Sequence, residues 1–254
     1  MKTIVGILLK IFPREWLIRL SYLAQLILPI LLKGKNYTDP IDNKQYRFFL
    51  PYGYGKLRNN VLSPGTLSLE RHRLMWLYLK QTNFFSARLK VLHVAPEQCF
   101  HKRFKELKNL DYTTTDLYSP LADVKADIRK LPFENNSFDV VFCNHVLEHI
   151  VEDELAMKEL YRVMKPNGWG IFQVPIEEER EKTYEDFSIT HPKDRKIHFK
   201  QYDHVRIYGK DYYERLAKAG FIVEKINLSK SFSEKEITQF ALQKNEILPL
   251  VRKA

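Results

Sequence analysis

Apolar residues beyond residue 88 recur in short runs separated by stretches of helical periodicity. The runs predict strands at 89–95, 111–116, 123–127, 138–143 and 169–174. The helical stretches lie at 98–108 and 152–164. Strands that alternate with helices build a parallel sheet covered on both faces. The pattern therefore predicts an α/β fold with a doubly wound, mostly parallel sheet.

The later part of the chain departs from this alternation. A polar stretch follows Val174 and is too long for a passive connection, so we predict a lid at about 175–206. A predicted helix from Asp211 to Ala219 then precedes two further strands, at 221–227 and 238–243. With no helix between them, these strands form an antiparallel hairpin at the sheet edge and bring the sheet to seven strands.

Residues 1–35 form a separate apolar and basic segment. The 17 residues 16–32 are at the short limit for a membrane span and contain a charge and a proline. Lys10 interrupts the apolar run and no cleavage site follows it, which disfavours a signal peptide. A narrow polar stripe and a wide apolar face instead predict a helix. This helix lies either on an anionic membrane surface or against the α/β domain or a dimer partner.

Charge is distributed unevenly along the chain. Residues 1–87 contain 13 Lys and Arg against 4 acidic residues, whereas residues 88–254 contain 28 against 27. This asymmetry indicates either a local contact with phospholipid headgroups or nucleic acid, or solvated lysines without a specific partner. The only cysteines, Cys99 and Cys143, make no disulfide framework and favour a reducing compartment. We therefore predict a cytoplasmic protein, and the membrane alternative for residues 1–35 would place it on the inner face of the membrane.

Two polar pairs with metal-knuckle spacing lie in residues 36–67, where Asp39 and Asp42 are repeated by Ser63 and Thr66. A zinc ribbon has two cysteines at each place. Carboxylates and hydroxyls are poor zinc ligands in this arrangement, so we predict no metal, here or elsewhere in the chain. Spacing alone favours a polar loop held by its aromatic residues. A helix predicted at 68–85, with Ser68 as its N-cap, opens the α/β domain (68–254).

Candidate binding residues follow the predicted strands, because ligands of doubly wound sheets lie at the carboxyl ends of the strands. Asp116 can accept hydrogen bonds from both ribose hydroxyls of an adenosine cofactor, and Leu117 can pack on the adenine. Asp127, before Ile128, can accept from the adenine amino group. The predicted cofactor-binding residues are His93, Ala95, Pro96, Glu97, Asp116, Leu117, Asp127, Ile128 and Asn144.

Three longer stretches resemble a known family. They read DIRKLPFENNSFDVVFCNHVLEHI (127–150), ELYRVMKPNGWGIFQVP (159–175) and HVRIYGKDYYERLAKAGF (204–221). Together they resemble the small-molecule branch of the class I S-adenosylmethionine (SAM)-dependent methyltransferases, over roughly residues 60–243. The resemblance implies a Rossmann-like fold, SAM as cofactor and transfer of a methyl group to an acceptor.

A bacterial subset of that family is more similar still. It shares His-Val-Ala-Pro-Glu (93–97) and SLERHR (68–73), and it carries a cysteine zinc ribbon upstream. The resemblance therefore implies that residues 36–67 are a degenerate ribbon that has lost its soft ligands.

The first loop departs from the general family pattern of one acidic residue and three glycines. The aligned residues here are His93, Ala95, Glu97 and Cys99. Ala95 is small enough for the backbone to approach SAM, and Pro96 stiffens the turn. We expect Glu97 to replace the missing acid as partner of the SAM ammonium; a pocket that no longer binds SAM is the alternative.

Methyl transfer needs alignment of donor and acceptor, and a base only where the acceptor must lose a proton. The predicted catalytic residues are His145, His204, Arg206 and Tyr208. His149 is predicted to be structural. The run 71–73 (Arg-His-Arg) is expected either to grip an anionic group of SAM or substrate or to form surface salt bridges.

Three functions are compatible with these residues. The first is a methyltransferase acting on a small, saccharide or lipid-linked acceptor. The second is an inactive methyltransferase fold that serves as a scaffold. The third, a nucleic-acid methyltransferase or binder, rests on charge alone, and the near-neutral α/β domain argues against a nucleic-acid partner. Nicotinamide binding is disfavoured because no G-x-G-x-x-G follows the first strand.

Overall fold

A computed structural model describes residues 14–53 and 57–254 of the chain. The chain divides into two compact units. The first comprises the residues up to Thr82 together with Leu228–Glu246, and the second comprises Asn83–Asn227 together with Ile247–Ala254. Each unit is therefore built from two separate stretches of sequence.

The regular elements are numbered in chain order. The helices are α1 (Arg14–Leu31), α2 (Glu70–Leu79), α3 (Gln98–Glu106), α4 (Asp153–Val163), α5 (Pro192–Phe199), α6 (Tyr212–Lys218) and α7 (Glu234–Gln239), with 3-10 turns at Leu147–His149 and Leu228–Ser231. The strands are β1 (Lys33–Asp39), β2 (Lys44–Tyr46), β3 (Leu50–Tyr52), β4 (Arg58–Leu62), β5 (Leu89–Val94), β6 (Leu110–Asp116), β7 (Val124–Lys125), β8 (Phe138–Cys143), β9 (Met164–Ile171), β10 (Tyr184–Glu185), β11 (Arg206–Ile207), β12 (Ile222–Ile226) and β13 (Leu248–Arg252).

The second unit is organised around a seven-stranded sheet of order β12-β13-β9-β8-β5-β6-β7. Strands β7, β6, β5, β8 and β9 are parallel neighbours, whereas β13 pairs antiparallel with both β9 and β12. Val91, Leu92 and Val94 of the central strand β5 are buried, as expected for a strand covered on both faces. The predicted α/β fold with a mostly parallel seven-stranded sheet is confirmed.

The first unit contains two antiparallel hairpins, β1–β2 and β3–β4. One polar pair, Asp39 and Asp42, lies at the end of β1 and in the turn that follows it. The other pair, Ser63 and Thr66, lies in the turn that follows β4. Thr66 donates a hydrogen bond of 2.5 Å to the Asp39 carboxylate, which also accepts from the Ser68 hydroxyl at 3.2 Å. The Asp42 carboxylate accepts from the Tyr46 hydroxyl at 2.9 Å. The hydrogen bonds to Asp39 thus join the end of β1 to the turn that follows β4.

For the later part of the chain, the predicted helix at 211–219 agrees with α6. The antiparallel strand pair lies at the sheet edge, and the segment predicted as a lid contains β10, α5 and the start of β11. The predicted strand at 238–243 is wrong, because these residues end α7 and form the turn that follows it. Ser233 and Glu236 form a capping box that favours a helix there, and the edge strand lies instead at Leu248–Arg252.

The helix predicted at 68–85 is shorter than expected, and Ser68 is not its N-cap. The Ser68 hydroxyl is bonded to Asp39, and the first residue of α2 is Glu70. The ring of His72 accepts from the backbone N–H of Leu69 at 3.0 Å, so an imidazole satisfies an amide at the start of this helix.

Helix α1 presents a broad apolar surface. Leu26 is 70% exposed and Ile30 is 77% exposed, and Trp16, Leu23 and Leu31 are also more than half exposed. The predicted segment 1–35 lies partly outside the described residues, since the description of its side chains begins at Trp16. No helix within residues 14–53 or 57–254 has the length and apolarity needed to span a membrane.

Candidate functional site

The predicted site residues after β5, β6 and β8 lie at one edge of the sheet. Val94, at the end of β5, pairs with Thr115 of β6 on one side and with Cys143 of β8 on the other. Because the three strands are parallel, the residues that follow each of them lie at neighbouring carboxyl ends. Glu97, Asp116 and Asn144 are therefore grouped as the sequence predicted.

Glu97 is the centre of a polar cluster at this edge. Its carboxylate makes a very short contact with Nε2 of the fully buried His93, and its other oxygen accepts from the Asn144 amide at 3.2 Å. Nδ1 of His93 bonds the Tyr112 hydroxyl at 2.8 Å. Burial and the charge of Glu97 raise the pKa of Tyr112, so its hydroxyl stays protonated. The cluster fixes an acidic side chain at the place where the family pattern is altered.

Backbone conformation also marks this edge. Ala95 has φ +49° and His145 has φ +54°, in the left-handed region that favours glycine. Ala95 donates its N–H to the Thr115 carbonyl at 2.8 Å, which holds the turn against β6. Pro96 completes this turn before Glu97, the N-cap residue of α3. Ala95 thus occupies a glycine-like backbone conformation.

Asp116 closes β6 and has one carboxylate oxygen engaged. Its Oδ1 accepts from the backbone N–H groups of Tyr118 at 2.7 Å and Ser119 at 2.5 Å. The bonds orient the carboxylate and leave Oδ2 for a ligand hydroxyl. Leu117, the predicted adenine contact, is 47% exposed beside it.

Asp127 differs from the prediction, because a neighbouring guanidinium occupies its carboxylate. Arg129 bonds both oxygens, with contacts of 2.6 to 3.1 Å, and also bonds Glu152. The hydrogen bonds from Arg129 lower the pKa of Asp127. An adenine amino group would have to share this carboxylate with Arg129. Ile128, the predicted neighbour of the adenine site, is buried in the apolar core of the second unit.

A second group of titratable residues follows Asn144. Nδ1 of His145 lies 3.2 Å from Oε1 of Glu148, whose side chain is only 2% exposed. His149 lies with its ring centroid 4.7 Å from that of His204, at an interplanar angle of 84°. Burial lowers the pKa of His204, which favours a neutral imidazole. We call His145, Glu148, His149 and His204 the His/Glu cluster; Glu148 was missed by the sequence analysis, because nothing in its local pattern marks burial.

Arg206 and Tyr208, predicted as catalytic, are buried structural groups. Arg206 is 1% exposed and donates to the carbonyls of Leu147, Ile150 and Val151. It also forms ion pairs with Asp153 at 3.4 Å and Glu185 at 2.8 Å. The hydroxyl of Tyr208 donates to Asp153 at 2.6 Å, and burial raises the pKa of Tyr208.

These contacts explain why the two residues are not reaction partners. A fully buried guanidinium whose donors are taken by carbonyls and carboxylates is held by the fold and cannot face a substrate. Arg206 instead fixes the 3-10 turn that carries the His/Glu cluster.

Within the run 71–73, Arg73 does not supply a surface grip on an anion. Arg73 is fully buried and donates to four backbone carbonyls of the first unit, those of Val61, Ser68, Phe240 and Ala241. Neither alternative foreseen for it, ligand binding or surface salt bridging, describes this side chain.

Comparison with known proteins identifies the domain that contains this edge. A family model described as a methyltransferase domain matches residues 79–172. Residues 79–172, which include the strands of this edge, are thus similar to a methyltransferase domain. A crystal structure of an S-adenosylmethionine-dependent methyltransferase from Mesorhizobium loti is similar at 13% identity and a TM-score of 0.50, covering 71% of this chain and 98% of that one. At that identity the likeness concerns the fold. SAM, the cofactor expected from the sequence, is the methyl donor of such methyltransferases.

Relatives identified by sequence match only parts of the chain. A sterol 4-C-methyltransferase (strm-1) from Caenorhabditis elegans is 31% identical over 121 residues, which cover 48% of this chain and 31% of the relative. A ubiquinone/menaquinone biosynthesis C-methyltransferase (UbiE) from Citrobacter koseri is 37% identical over 69 residues, which cover 26% of this chain and 28% of the relative. The matched regions thus span about a third of the length of these relatives.

Proposed function

We propose that this protein is a SAM-dependent methyltransferase whose cofactor lies across the carboxyl ends of β5, β6 and β8. The observation that carries the proposal is the position of Glu97, bonded to His93 and Asn144 beside the left-handed turn at Ala95. An anchored carboxylate here can bind the ammonium group of SAM. Asp116 would bind the ribose hydroxyls through its second oxygen.

In this proposal the protein supplies alignment and a way to remove a proton. The sulfonium of SAM is a good leaving group, so holding the acceptor in line provides much of the rate. His145 is 29% exposed next to Asn144, with Glu148 bonded to its Nδ1. A carboxylate in that position orients an imidazole as a general base, so His145 is the candidate for acceptors that lose a proton.

Calorimetric titration of the full chain with SAM and with its demethylated product tests the cofactor. We expect micromolar binding of both, weakened about 10-fold or more by Glu97→Gln and by Asp116→Ala, since a charge-assisted hydrogen bond contributes about 1.5–3 kcal/mol. Glu106→Gln at the other end of α3 and Asp111→Ala near the start of β6 are matched controls, because both side chains are exposed.

The outcomes separate the alternatives. Binding that is lost in the Glu97 and Asp116 variants and kept in the controls supports the proposal. No binding of either ligand by folded protein favours the inactive scaffold. Salt-sensitive binding of RNA or DNA would instead favour the nucleic-acid alternative.

We further propose that the acceptor is a small, saccharide or lipid-linked molecule reached at an anionic membrane surface. The exposed apolar side chains of α1 and the basic excess of residues 1–87 support a peripheral contact through residues 1–35. Co-sedimentation with vesicles tests the membrane part of this proposal.

A further inference from the structure

The His/Glu cluster contains a set of side chains with metal-binding chemistry. One ligand atom from each of Glu148, His149 and His204 lies within 4.8 Å of the others. Two imidazoles and one carboxylate are a common ligand set for zinc and related divalent ions. His149 and His204 are 55 positions apart in the sequence, so no short sequence motif contains all three residues.

Glu148 gives an independent reason to expect a ligand. Its side chain is 2% exposed, yet its Oε2 has no hydrogen-bond partner among the described residues. A buried carboxylate oxygen without a partner is costly unless a cation or a donor binds it.

His149 and His204 can each offer a ring nitrogen to a metal ion. Nδ1 of His149 donates to the backbone carbonyl of Asp203 at 3.2 Å, so Nε2 is the ring nitrogen left to bind a metal. A histidine ligand held by a hydrogen bond from its other nitrogen is the usual second layer of a metal site. His204 is partly buried, and its ring packs edge-on against that of His149 with the centroids 4.7 Å apart.

The backbone that carries the cluster is firmly fixed. Val205 donates its N–H to the Glu148 carbonyl at 3.0 Å, which ties the residue after His204 directly to the 3-10 turn. Arg206 binds the same turn through the carbonyls of Leu147 and Ile150. The ligand set is thus held by buried contacts on both of its chain segments.

We propose that Glu148, His149 and His204 form a binding site for one divalent transition-metal ion of the zinc class. The sequence predicted no metal, and this site departs from that prediction. Three protein ligands leave a coordination position for water or a substrate oxygen, whose pKa the metal would lower. That catalytic use rests on the proposed function, whereas binding of the metal does not require it.

The test is titration of the chelator-treated full chain, without a histidine tag, with zinc chloride, combined with elemental analysis after dialysis. We expect about one equivalent of zinc bound at micromolar or lower Kd. Glu148→Gln and His204→Asn should each weaken binding at least 10-fold, and each variant's fold is checked by circular dichroism and thermal unfolding. His191→Asn is the matched control, because this imidazole is 62% exposed and lies outside the cluster.

The comparison with SAM binding keeps the two proposals separate. Zinc binding that falls in the cluster variants and not in the control supports the site, whether or not SAM binds. A wild-type chain that binds less than a fifth of an equivalent would overturn the site. So would zinc that binds equally well to the wild type, Glu148→Gln and His204→Asn, since that zinc would lie elsewhere. Because Glu148→Gln keeps the size of the side chain and His204→Asn changes a partly exposed one, at least one folded variant is expected.

Discussion

At the scale of single residues, the proposed cofactor edge is marked by strained backbone. Ala95 and His145 both adopt positive φ, although neither is glycine. Non-glycine residues in the left-handed region cost about 1–2 kcal/mol and concentrate at binding and catalytic sites. The two residues follow adjacent parallel strands, so two of the ten left-handed non-glycine residues in the described part of the chain lie next to Glu97 and Asn144.

Replacing Ala95 by glycine should relieve this strain. Ala95→Gly is expected to raise the free energy of unfolding by about 1 kcal/mol and the Tm by about 2–4 °C, measured by thermal unfolding. Ala219→Gly is the matched control, because Ala219 ends α6 with φ −75° and should lose about 0.5–1 kcal/mol. If both variants lose stability equally, the packing of the Ala95 methyl group outweighs its backbone strain.

Position after a strand is a local property, so the sequence could place some candidate residues at one edge of the sheet. Glu97, Asp116 and Asn144 follow strands with clear periodicity, and the structure groups them. Burial is not local, which is why Arg206 and Tyr208 were assigned to catalysis and Glu148 was overlooked. Arg206 is buried, and its ion-pair partners Asp153 and Glu185 come from other elements.

At the scale of elements, hydrogen bonds between oxygen atoms connect the two hairpins of the first unit. The Asp39 carboxylate takes hydroxyl donors from Thr66 and Ser68, so oxygen–oxygen hydrogen bonds join the turns. Asp42 lies beside Asp39, and both burial and the charge of Asp39 raise the pKa of Asp42. Two neighbouring carboxylates in a partly buried turn repel each other when both are ionised.

The stability of the first unit should therefore depend on the protonation of Asp42. Its pKa is higher in the folded than in the unfolded state, so ionisation opposes folding: the penalty is absent below the unfolded pKa of 3.8 and complete above the folded pKa. Asp42→Asn should raise stability to urea at pH 7, and the gain should vanish as the pH falls below 3.8.

Glu236→Gln is the control of opposite sign in the same unit. Hydrogen bonds from the Ser233 side chain and backbone lower the pKa of Glu236, so its charge favours folding at neutral pH. This variant should lose stability at pH 7 and approach the wild type in acid. A loss of stability at pH 7 in Asp42→Asn as well would show that its carboxylate is needed as an acceptor.

Periodicity predicted the central strands because each buries a continuous apolar run. It failed at 238–243, where an apolar pattern of the same length belongs to a helix end. Ile237, just before this run, and Leu242 within it are buried, so the apolar pattern does reflect burial. The capping box that favours the helix lies outside the run. Short apolar runs do not distinguish strand from helix without such boundary signals.

At the scale of the whole molecule, apolar surface and positive charge coincide in the same part of the sequence. The basic excess belongs to residues 1–87, and the exposed apolar helix α1 lies within them. Apolar burial and attraction to anionic headgroups act together on peripheral proteins, and salt weakens the second contribution.

Full-length protein should therefore sediment with anionic vesicles. Deletion of residues 1–34 should reduce sedimentation to background, and Leu26→Glu combined with Ile30→Glu should reduce it severalfold, because both side chains are more than two-thirds exposed. Ile222→Glu, which alters an exposed side chain of β12, is the control. Equal sedimentation of the full-length and deleted chains would remove the membrane proposal.

The interrupted layout of the two units has a consequence for folding during synthesis. The sheet receives β13, which lies between β12 and β9, only after the chain has passed through Leu228–Glu246, the stretch that completes the first unit. A nascent chain that ends at residue 227 therefore lacks an inner strand of one unit and the closing segment of the other. Contacts between such distant stretches form slowly. Ribosome-bound intermediates should thus remain protease-sensitive in both units until residues 228–252 have been made, and the two units should acquire protection late.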